Sequence, residues 1–501
     1  MKQFIRPIRL YIVAVFILVA LSYVAQALIP YFTQALLRRE FLFAMIGYIG
    51  CTVFYLLCNY LSMRLEWRYG IVFSTSLKNT WFNQLLAMPQ GKFSKQKVAE
   101  YVSYQANDLD ALEKDYLAPL FSFYQQIMKM VIFAVIISQT VNIWVASILF
   151  ITALLTIQVP KIIGKRTAAR RDAYLKSQGD YYAKLEDLLT GHHLVNDETE
   201  ENFQKVQQKS LDNLQTHYLK YGLLKAFGII MNASSFSLTG IVLFIYLVFA
   251  LSTRRLSIPE VAASLSYITA FSEPMTELLY DIQMLESIKN VKKNFLEIVS
   301  QVQLPKRAIK SFDKIEIQSL KKVVGNTQLD IPELMIKKGE KIAVIGENGS
   351  GKSTFLNVLN GTDDEFEGKI FVDGNEIKNL DGAFAKILQA EHTFHDTYKN
   401  NVTIFGSYQE KVSDTKSEVS ATTLSGGEKQ KMYLTRVTNQ ESPLVILDEP
   451  FSALDYYQFE NELQKVLQLP ATVIMTIHQK DEFLGKFNRI LKLEKGKIVE
   501  S

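Results

Sequence analysis

The sequence predicts a multi-domain membrane protein, in which a six-helix, all-α membrane domain precedes an α/β domain. Two observations predict this fold class. Uncharged runs long enough to cross a bilayer as helices are confined to the first half of the chain. Short β-rich runs between polar helical stretches fill the later part, which is typical of an α/β fold; examples are Lys341–Ile345, Lys369–Val372, Leu444–Leu447 and Thr472–Thr476.

Composition limits the kind of protein this chain can be. It has 501 residues, of which 48% are apolar and 21% are charged, so wholesale disorder and a fibrous chain are excluded. The formal net charge of +4 is too small for this length to indicate a nucleic-acid partner. Cys51 and Cys58 cannot form a disulfide framework, and we interpret them as inert apolar residues.

Five apolar runs predict six spans, so we expect a lipid bilayer as a partner. The third run is longer than one crossing needs and has a polar break, so it is interpreted as helices three and four. The last stretch is interrupted by Glu273, Glu277 and Asp281. The runs are Leu10–Phe32, Phe41–Met63, Met130–Pro160, Ala226–Thr253 and Val261–Leu285.

The N-terminus carries the signal for orientation. Lys2, Arg6 and Arg9 precede the first run, which places this end in the cytosol by the positive-inside rule. Six crossings then return the C-terminus to the same side. A signal peptide is the alternative, but the run is too long and a second run follows directly. A bacterial plasma membrane is the expected location.

Two polar segments with helical periodicity predict long cytoplasmic extensions of helices two to five. They are Arg64–Asp115 and Lys161–Lys225, which are too polar to lie in lipid. The expected division of the chain is a membrane domain over residues 1–303, a linker over 304–312 and an α/β domain over 313–501.

A glycine-rich loop predicts a phosphate-binding site. The segment from Gly346 to Ser353 has the pattern G-x-x-x-x-G-K-S, between an apolar run that predicts a strand and a stretch that predicts a helix. Glycines let backbone N–H groups surround phosphate oxygens, Lys352 reaches the β- and γ-phosphates, and Ser353 can hold Mg²⁺. We therefore expect ATP and Mg²⁺ at Gly346, Asn348, Gly349, Ser350, Gly351, Lys352, Ser353 and Thr354.

Two predicted strands deliver polar side chains to the same sheet edge. The apolar run Leu444–Leu447 ends in Asp448, expected to hold Mg²⁺ through water, and in Glu449, expected to polarise the attacking water. A second run ends beside His478, which is placed to contact the γ-phosphate. The expected catalytic residues are Glu449, His478 and Lys352.

A second glycine-rich turn, Leu424-Ser-Gly-Gly-Glu-Lys-Gln430, identifies the family that the chain resembles. It resembles the LSGGQ signature of the ATP-binding-cassette (ABC) family, with Glu428 where that family most often has Gln. The spacings from Ser425 to Asp448 and from Glu449 to His478 are close to those of the family. Ser452–Asp455 matches the loop after the catalytic Glu, and Gln389 matches the glutamine loop that contacts nucleotide and metal.

The resemblance implies an obligate dimer, with a second copy or a related half-transporter as the partner. Ser425, Gly426 and Gly427 would then bind the γ-phosphate of ATP held by the other chain. The first part of the chain looks like the six-helix half of an ABC exporter. Phe82–Pro89 and Ala99–Ser103 resemble the segment around its first coupling helix, and Glu186–Gly191 the second. The resemblance implies an ATP hydrolase coupled to transport.

Three departures from the family pattern are present. Leu320–Gly325 lacks the aromatic residue that usually stacks on adenine. The stretch from Gln389 to Ser425 is short, so a reduced helical subdomain is expected. Glu418–Thr423 replaces the usual Gly-Glu-Arg-Gly element before the signature.

The leading functional hypothesis is ATP-driven export of a substrate by a dimer. An importer built on the exporter fold, and a sensor or immunity ATPase that carries no cargo, are the alternatives. Tyr, Phe and Met side chains in the membrane half suit an apolar or peptide-like cargo, although contact with lipid or packing between helices explains them better. Lys129 lies inside a predicted span, where a charge is expensive and often functional.

Overall fold

The chain divides into two compact units. The computed structural model describes residues 1–156, 159–300, 308–324, 327–377, 380–389, 391–410, 417–451, 454–477 and 481–500. The first unit comprises Met1–Phe82 and Ala99–Gln301, and the second comprises Asn83–Val98 and Val302–Ser501. The second unit therefore includes a short stretch that the sequence assigned to the membrane domain.

Helices make up the first unit. They alternate with short turns, and two π-helical segments, Tyr104–Leu109 and Leu112–Leu117, precede one of the long helices. The helices are α1 (Lys2–Ile5), α2 (Arg9–Leu37), α3 (Phe41–Ala87), α4 (Gln90–Phe93), α5 (Val98–Ser103), α6 (Ala118–Thr140), α7 (Ile143–Thr156), α8 (Val159–Thr190), α9 (Glu200–Ser252), α10 (Ile258–Ser287) and α11 (Lys289–Ser300). Of these, α4 belongs to the second unit.

Two helices are much longer than a bilayer is thick. α3 has 47 residues and α9 has 53, so each is about 70–80 Å long, against a hydrocarbon core of about 30 Å. Each is therefore long enough to cross the hydrocarbon core and continue beyond it, as predicted for helices two to five.

Length and composition support membrane insertion. Among the described residues, three helical stretches are long and apolar enough to cross a membrane: Lys2–Leu37, Phe41–Ala87 and Val98–Thr140. Ile143–Thr152 and Ser237–Ser252 are shorter apolar helices. The sixth predicted span lies in α10, whose acidic residues lower its hydropathy. Many large apolar side chains are exposed on these helices, which suits a lipid-facing surface.

Aromatic packing joins α2, α6 and α10. Phe133 of α6 contacts the ring edges of Tyr267 and Phe271 of α10. The Tyr267 hydroxyl donates a hydrogen bond of 2.8 Å to the carbonyl of Ala27 in α2. All three aromatic side chains are fully buried, so they form the centre of the helical unit.

Two sheets form the second unit. One is antiparallel with strand order β2-β1-β4-β5, and the other has the order β10-β9-β3-β8-β7-β6, in which β9, β3, β8, β7 and β6 are parallel. The strands are β1 (Lys314–Val324), β2 (Thr327–Lys337), β3 (Lys341–Ile345), β4 (Glu367–Val372), β5 (Asn375–Glu376), β6 (Ala385–Ile387), β7 (Leu444–Leu447), β8 (Thr472–Thr476), β9 (Arg489–Glu494) and β10 (Lys497–Glu500).

The apolar runs read from the sequence are confirmed as strands. β3, β7 and β8 have the predicted bounds, and the predicted run Lys369–Val372 lies inside β4. β7 and β8 are buried at every residue, as expected for central strands covered on both faces. The helices beside them are α12 (Lys352–Leu359), α13 (Tyr398–Thr403), α14 (Gly426–Asn439) and α15 (Tyr456–Leu467).

Residues of the predicted linker pack into this unit. Leu304–Arg307 lies outside the described residues, but Phe312 is buried in the core between the antiparallel sheet and α12, and Ile309 packs against that core. The Ile309 N–H donates to the carbonyl of Ala383.

Helix α4 also packs in the second unit. The Gln90 N–H donates to Asp381 Oδ2 at 2.9 Å, and Lys95, just beyond the helix, pairs with Glu365. A Cβ added at Gly91 would lie 2.5 Å from Asp364 Oδ1. A side chain at position 91 would therefore displace the Asp364 carboxylate and lie close to the Thr362 carbonyl of this acidic turn.

The predicted reduction of the helical subdomain is confirmed. Between Gln389 and Ser425, the described residues form one six-residue α-helix, α13, and one 3-10 turn, Ala421–Thr423. Arg436 of α14 holds this segment. Its guanidinium donates to the carbonyl and side-chain oxygens of Asn401 at 2.8 and 3.1 Å.

Arg436 is a buried charge whose neighbours satisfy it. Its Nη1 donates to Glu391 Oε1 at 3.1 Å, and the rings of Tyr433 and Phe394 lie 5.4 and 5.6 Å from the guanidinium carbon. Burial lowers the pKa of Arg436, and the charge of Glu391 opposes that shift. One side chain thus joins the signature helix to the loop after β6.

Arg436→Leu should destabilise the second unit by about 2–4 kcal/mol, because Glu391 and Asn401 would lose their buried partner. Calorimetry of the detergent-solubilised chain measures this as a lower melting temperature of the second unit. Its unfolding transition is identified as the one whose temperature changes when ATP is added. Lys399→Leu removes an exposed cation from the same segment and should change stability by less than about 0.5 kcal/mol. Equal melting temperatures for the two variants would contradict this role of Arg436.

Candidate ATP site

The glycine-rich loop has a backbone that favours glycine at three positions. Gly346, Gly349 and Gly351 have φ angles of 148°, 79° and 104°, in the region that side chains disfavour. A Cβ at Gly346 would lie 2.3 Å from the carbonyl oxygen of Leu493 in β9. The first glycine is therefore required by the neighbouring strand as well as by the turn.

Lys352 folds back over this loop. Its Nζ donates to the carbonyls of Gly346 and Glu347 at 2.8 and 2.9 Å, and only 7% of the residue is exposed. The loop carbonyls hold the ammonium at the concave side of the turn.

Ser350 supplies an observation that favours a ligand in the loop. Its hydroxyl oxygen is buried and has no hydrogen-bond partner among the residues that the structure describes. Buried polar atoms without partners are rare and require an explanation. A phosphate oxygen in the loop would provide the missing partner, so this atom fits an anion at the N-terminus of α12.

The first turn of α12 places the remaining predicted residues. Gly351 precedes the helix, Ser353 is exposed, and Thr354 is half-buried. The α12 helix follows β3 without an intervening element other than the loop, so its N-terminal dipole faces the carboxyl edge of the parallel sheet. Asn348 and Gly349 lie exposed at the tip of the loop.

Asp448 and Glu449 stand at the same edge, one strand beyond β8. The pairing register sets Ile345 at the end of β3, Thr476 at the end of β8 and Leu447 at the end of β7. Asp448 is 7% exposed and its N–H donates to the carbonyl of Ile387 at 2.9 Å. The sheet therefore brings Asp448 to the edge that carries the loop.

Thr476 links the two acids, a role that the sequence patterns did not predict. Its hydroxyl donates to Asp448 Oδ1 at 2.8 Å and accepts the Glu449 N–H at 2.7 Å. Glu449 has a φ angle of 48°, an uncommon conformation for a residue with a side chain. The sequence feature that could have indicated Thr476 is its position as the last residue of an apolar strand that ends beside His478.

Gln389 lies at this edge as well, exposed and two residues beyond the end of β6. The predicted His478, and Ser452 with Ala453 of the loop after Glu449, lie outside the described residues.

Ser425 begins α14, and Glu428 caps that helix. The Ser425 N–H and hydroxyl both donate to Glu428 Oε2, at 2.9 and 2.8 Å, and the Glu428 N–H returns a bond of 3.4 Å to Ser425 Oγ. Gly426 and Gly427 form the first turn. The Glu that departs from the usual signature thus has a structural role as the third helical residue of a capping box.

Two family models match the chain. The model described as the ABC transporter transmembrane region matches residues 8–275, more than half of the chain, and the model described as ABC transporter matches residues 329–452. The predicted fold class and the predicted family are both confirmed.

Relatives and solved structures are consistent with these matches. An ATP-dependent lipid A-core flippase of Photorhabdus laumondii is 25% identical over 87% of this chain and 81% of its own. The thiamine import ATP-binding protein ThiQ of Haemophilus ducreyi is 33% identical over 33% of this chain and 89% of its own. A bacterial Atm1-family ABC exporter with ATP bound has the same fold, with a TM-score of 0.83 and 16% identity, covering 98% of this chain and 94% of that one.

Family membership follows from the model that matches residues 8–275, which also indicates insertion into a membrane. ATP binding follows from the model that matches residues 329–452. ATP hydrolysis coupled to transport is the activity of this family. The chain belongs to the ABC transporter family, as a half-transporter in which one polypeptide carries both the membrane region and the ATPase domain.

Proposed function

We propose that the chain is one half of a dimeric exporter that moves an apolar or peptide-like substrate out of a bacterial cytosol. The observation that carries this is the loop of Lys352 and the acids Asp448 and Glu449 at one sheet edge, in a chain that also has membrane-spanning helices. The lipid A-core flippases that align with most of the chain support outward movement of an amphipathic cargo.

The ATP phosphates would be held by the loop from Gly346 to Gly351 and by Lys352, with Ser350 Oγ as a further donor. Lys352 would exchange its bonds with loop carbonyls for bonds to phosphate oxygens. Ser353, Gln389 and Asp448 are the residues that would hold Mg²⁺, since they combine hydroxyl, amide and carboxylate oxygens. Bound Mg²⁺ neutralises phosphate charge.

Glu449 is the proposed general base. Its N–H is fixed by Thr476, which leaves the half-buried carboxylate at the edge, where a water attacking the γ-phosphate would lie. His478 follows β8 and is proposed to contact the γ-phosphate. Both roles come from the family pattern, and the position of Glu449 beside Asp448 supports the first.

Closure of a dimer would bring Ser425, Gly426 and Gly427 of one chain to the ATP of the other. The Ser425 hydroxyl now donates to Glu428, so it would transfer this bond to a phosphate oxygen as the dimer closes. Helix N-termini favour anions, which suits this role. The partner is proposed to be a second copy or a related half-transporter.

The conformational change that nucleotide drives in the ATPase domain would be transmitted to the membrane helices through residues 83–98. This segment packs within the second unit, where Gln90 bonds to Asp381 and Lys95 pairs with Glu365. Basic residues near the N-terminus support a cytosolic location for that end, and six crossings would place the C-terminus on the same side. The plasma membrane is the proposed location.

Glu449→Gln should bind ATP with unchanged affinity and hydrolyse it about a hundredfold more slowly, because the amide cannot accept a proton from water. Phosphate release and nucleotide binding are measured on the purified chain in lipid vesicles. Lys352→Ala is the contrasting variant, and it should weaken ATP binding itself. Wild-type hydrolysis by the Glu449→Gln variant would rule out the assigned base.

Thr476→Val should lower kcat for ATP about tenfold with little change in KM, because Asp448 and the Glu449 N–H would both lose a partner. Thr476→Ser keeps the hydroxyl and should retain most of the activity. If the valine and serine variants behave alike, the hydroxyl has no part in positioning the acids.

Gly91→Val should reduce ATP-driven flux about tenfold while leaving ATP binding intact, because a side chain there would meet Asp364 and displace α4. The control is Gly179→Val on α8, where an added Cβ meets nothing within 4 Å. Flux into inverted vesicles and ATP binding are measured in parallel. Equal flux in the two variants would exclude α4 from transmission.

A further inference from the structure

One face of α6 carries three polar side chains, at intervals of three and four residues, that each lie against an acid on a neighbouring helix. Lys129 Nζ lies 2.6 Å from Glu273 Oε2 of α10, and Gln125 Nε2 donates to Glu66 Oε1 of α3 at 3.1 Å. The third is Ser122, whose side chain lies beside that of Asp281 in α10. Residues at this spacing share a helix face, so the three contacts form one polar stripe inside the helical unit.

Burial in this stripe is uneven. The Lys129 side chain is 4% exposed, and its ammonium lies 5.2 Å from the ring centre of Tyr23 and 5.8 Å from that of Phe133. The side chain of Glu273 is 61% exposed. The open side of the pair therefore presents a carboxylate, while the ammonium is enclosed by protein.

The acids outnumber the cation. Lys129 pairs with Glu273, while Glu66 and Asp281 lie against the same face of α6 beside Gln125 and Ser122, and among the described residues neither acid is paired with a cation. Asp281 is 2% exposed, and its Oδ2 has no hydrogen-bond partner among the described residues. The stripe has the local charge and the unsatisfied oxygen to accept one further positive group.

The position of this pair along its two helices favours a functional role. Lys129 and Glu273 lie near the midpoints of α6 (Ala118–Thr140) and α10 (Ile258–Ser287). A carboxylate exposed to hydrocarbon at that depth is expensive, so Glu273 faces a water-containing path or another protein surface. In a transporter, such a path is where the cargo passes.

We infer that this stripe, with the rings of Tyr23 and Tyr55, binds the cargo, and that the cargo is an amphipathic organic cation: an amine or onium group on an apolar body. Tyr55 lies within electrostatic range of Glu273, and Tyr23 within range of Glu273 and Glu66. Aromatic faces and carboxylates both attract such cations, and the apolar body suits the surrounding rings. The inference rests on the proposed export function and narrows its substrate class.

An anionic cargo fits these contacts less well. It would have to separate Glu273 from Lys129 and would then lie beside the carboxylate of Glu273, with that of Glu66 one turn along α6 and one enclosed ammonium to balance them. Like charges at close range in a low-dielectric site repel strongly. The sign of the local charge thus selects a cation.

The test uses two apolar ions of matched size and opposite charge, tetraphenylphosphonium and tetraphenylborate, with the full-length chain in nanodiscs. Binding is measured at equilibrium and corrected with empty nanodiscs. Wild type should bind the phosphonium in preference to the borate, and Glu273→Gln and Glu66→Gln should each weaken phosphonium binding about tenfold. Glu201→Gln on the polar end of α9 is the matched charge control and should bind as wild type.

Lys129→Gln should change the affinity for the phosphonium in the opposite direction. Removing the ammonium leaves Glu273 uncompensated, so phosphonium binding should tighten, whereas an anion site would be lost. ATP binding and size-exclusion profiles identify variants that fail to fold, and the Glu66→Gln result stands independently of the buried pair. Weaker phosphonium binding by a folded Lys129→Gln variant, or preferred binding of the borate by wild type, would overturn the cation site.

Vesicle flux separates this inference from the proposed function. ATP-driven uptake of the phosphonium into inverted vesicles, absent in Glu449→Gln, is the expected result. ATP-driven uptake of the borate alone would overturn the cation site and keep the exporter. Phosphonium binding without ATP-driven flux of either ion would support the site and contradict export.

Discussion

The parallel pairing of β3, β8 and β7 is the constraint on which the rest of the second unit depends. Because all three strands run in one direction, their carboxyl ends meet at one edge, and the residues that follow each strand become neighbours. The lysine loop follows β3 and Asp448 follows β7. A one-residue change of register would move these groups apart and exchange the side chains that face the two layers of the core.

Thr476 shows how that edge is refined. It ends the strand between the other two, and its one hydroxyl serves both Asp448 and the backbone of Glu449. The left-handed backbone at Glu449 is held by this bond and by the strand before it. Arg436 has a comparable role at a distance, since it fixes the signature helix to the short loop that replaces a larger subdomain. Thr476 positions the two acids, and Arg436 positions the signature helix, in both cases through hydrogen bonds.

The helical unit solves a different physical problem, which is how to keep charge inside a membrane. Lys129 is enclosed by rings and paired with Glu273, and neighbouring acids lie beside Gln125 and Ser122. Replacing such polar groups by apolar ones would remove a desolvation cost, so their presence favours a functional explanation.

The sequence by itself determined the family, the strands β3, β7 and β8, the ATP loop and the shortened helical subdomain, because each depends on local pattern and fixed spacing. The spans were also predictable from runs of uncharged residues. Only the tertiary structure decided that Thr476 joins the two acids, that Glu428 caps the signature helix, and that α4 packs with the second unit. It alone paired Lys129 with Glu273, 144 positions away. Contacts between residues far apart in sequence depend on how whole elements pack, which no local pattern encodes.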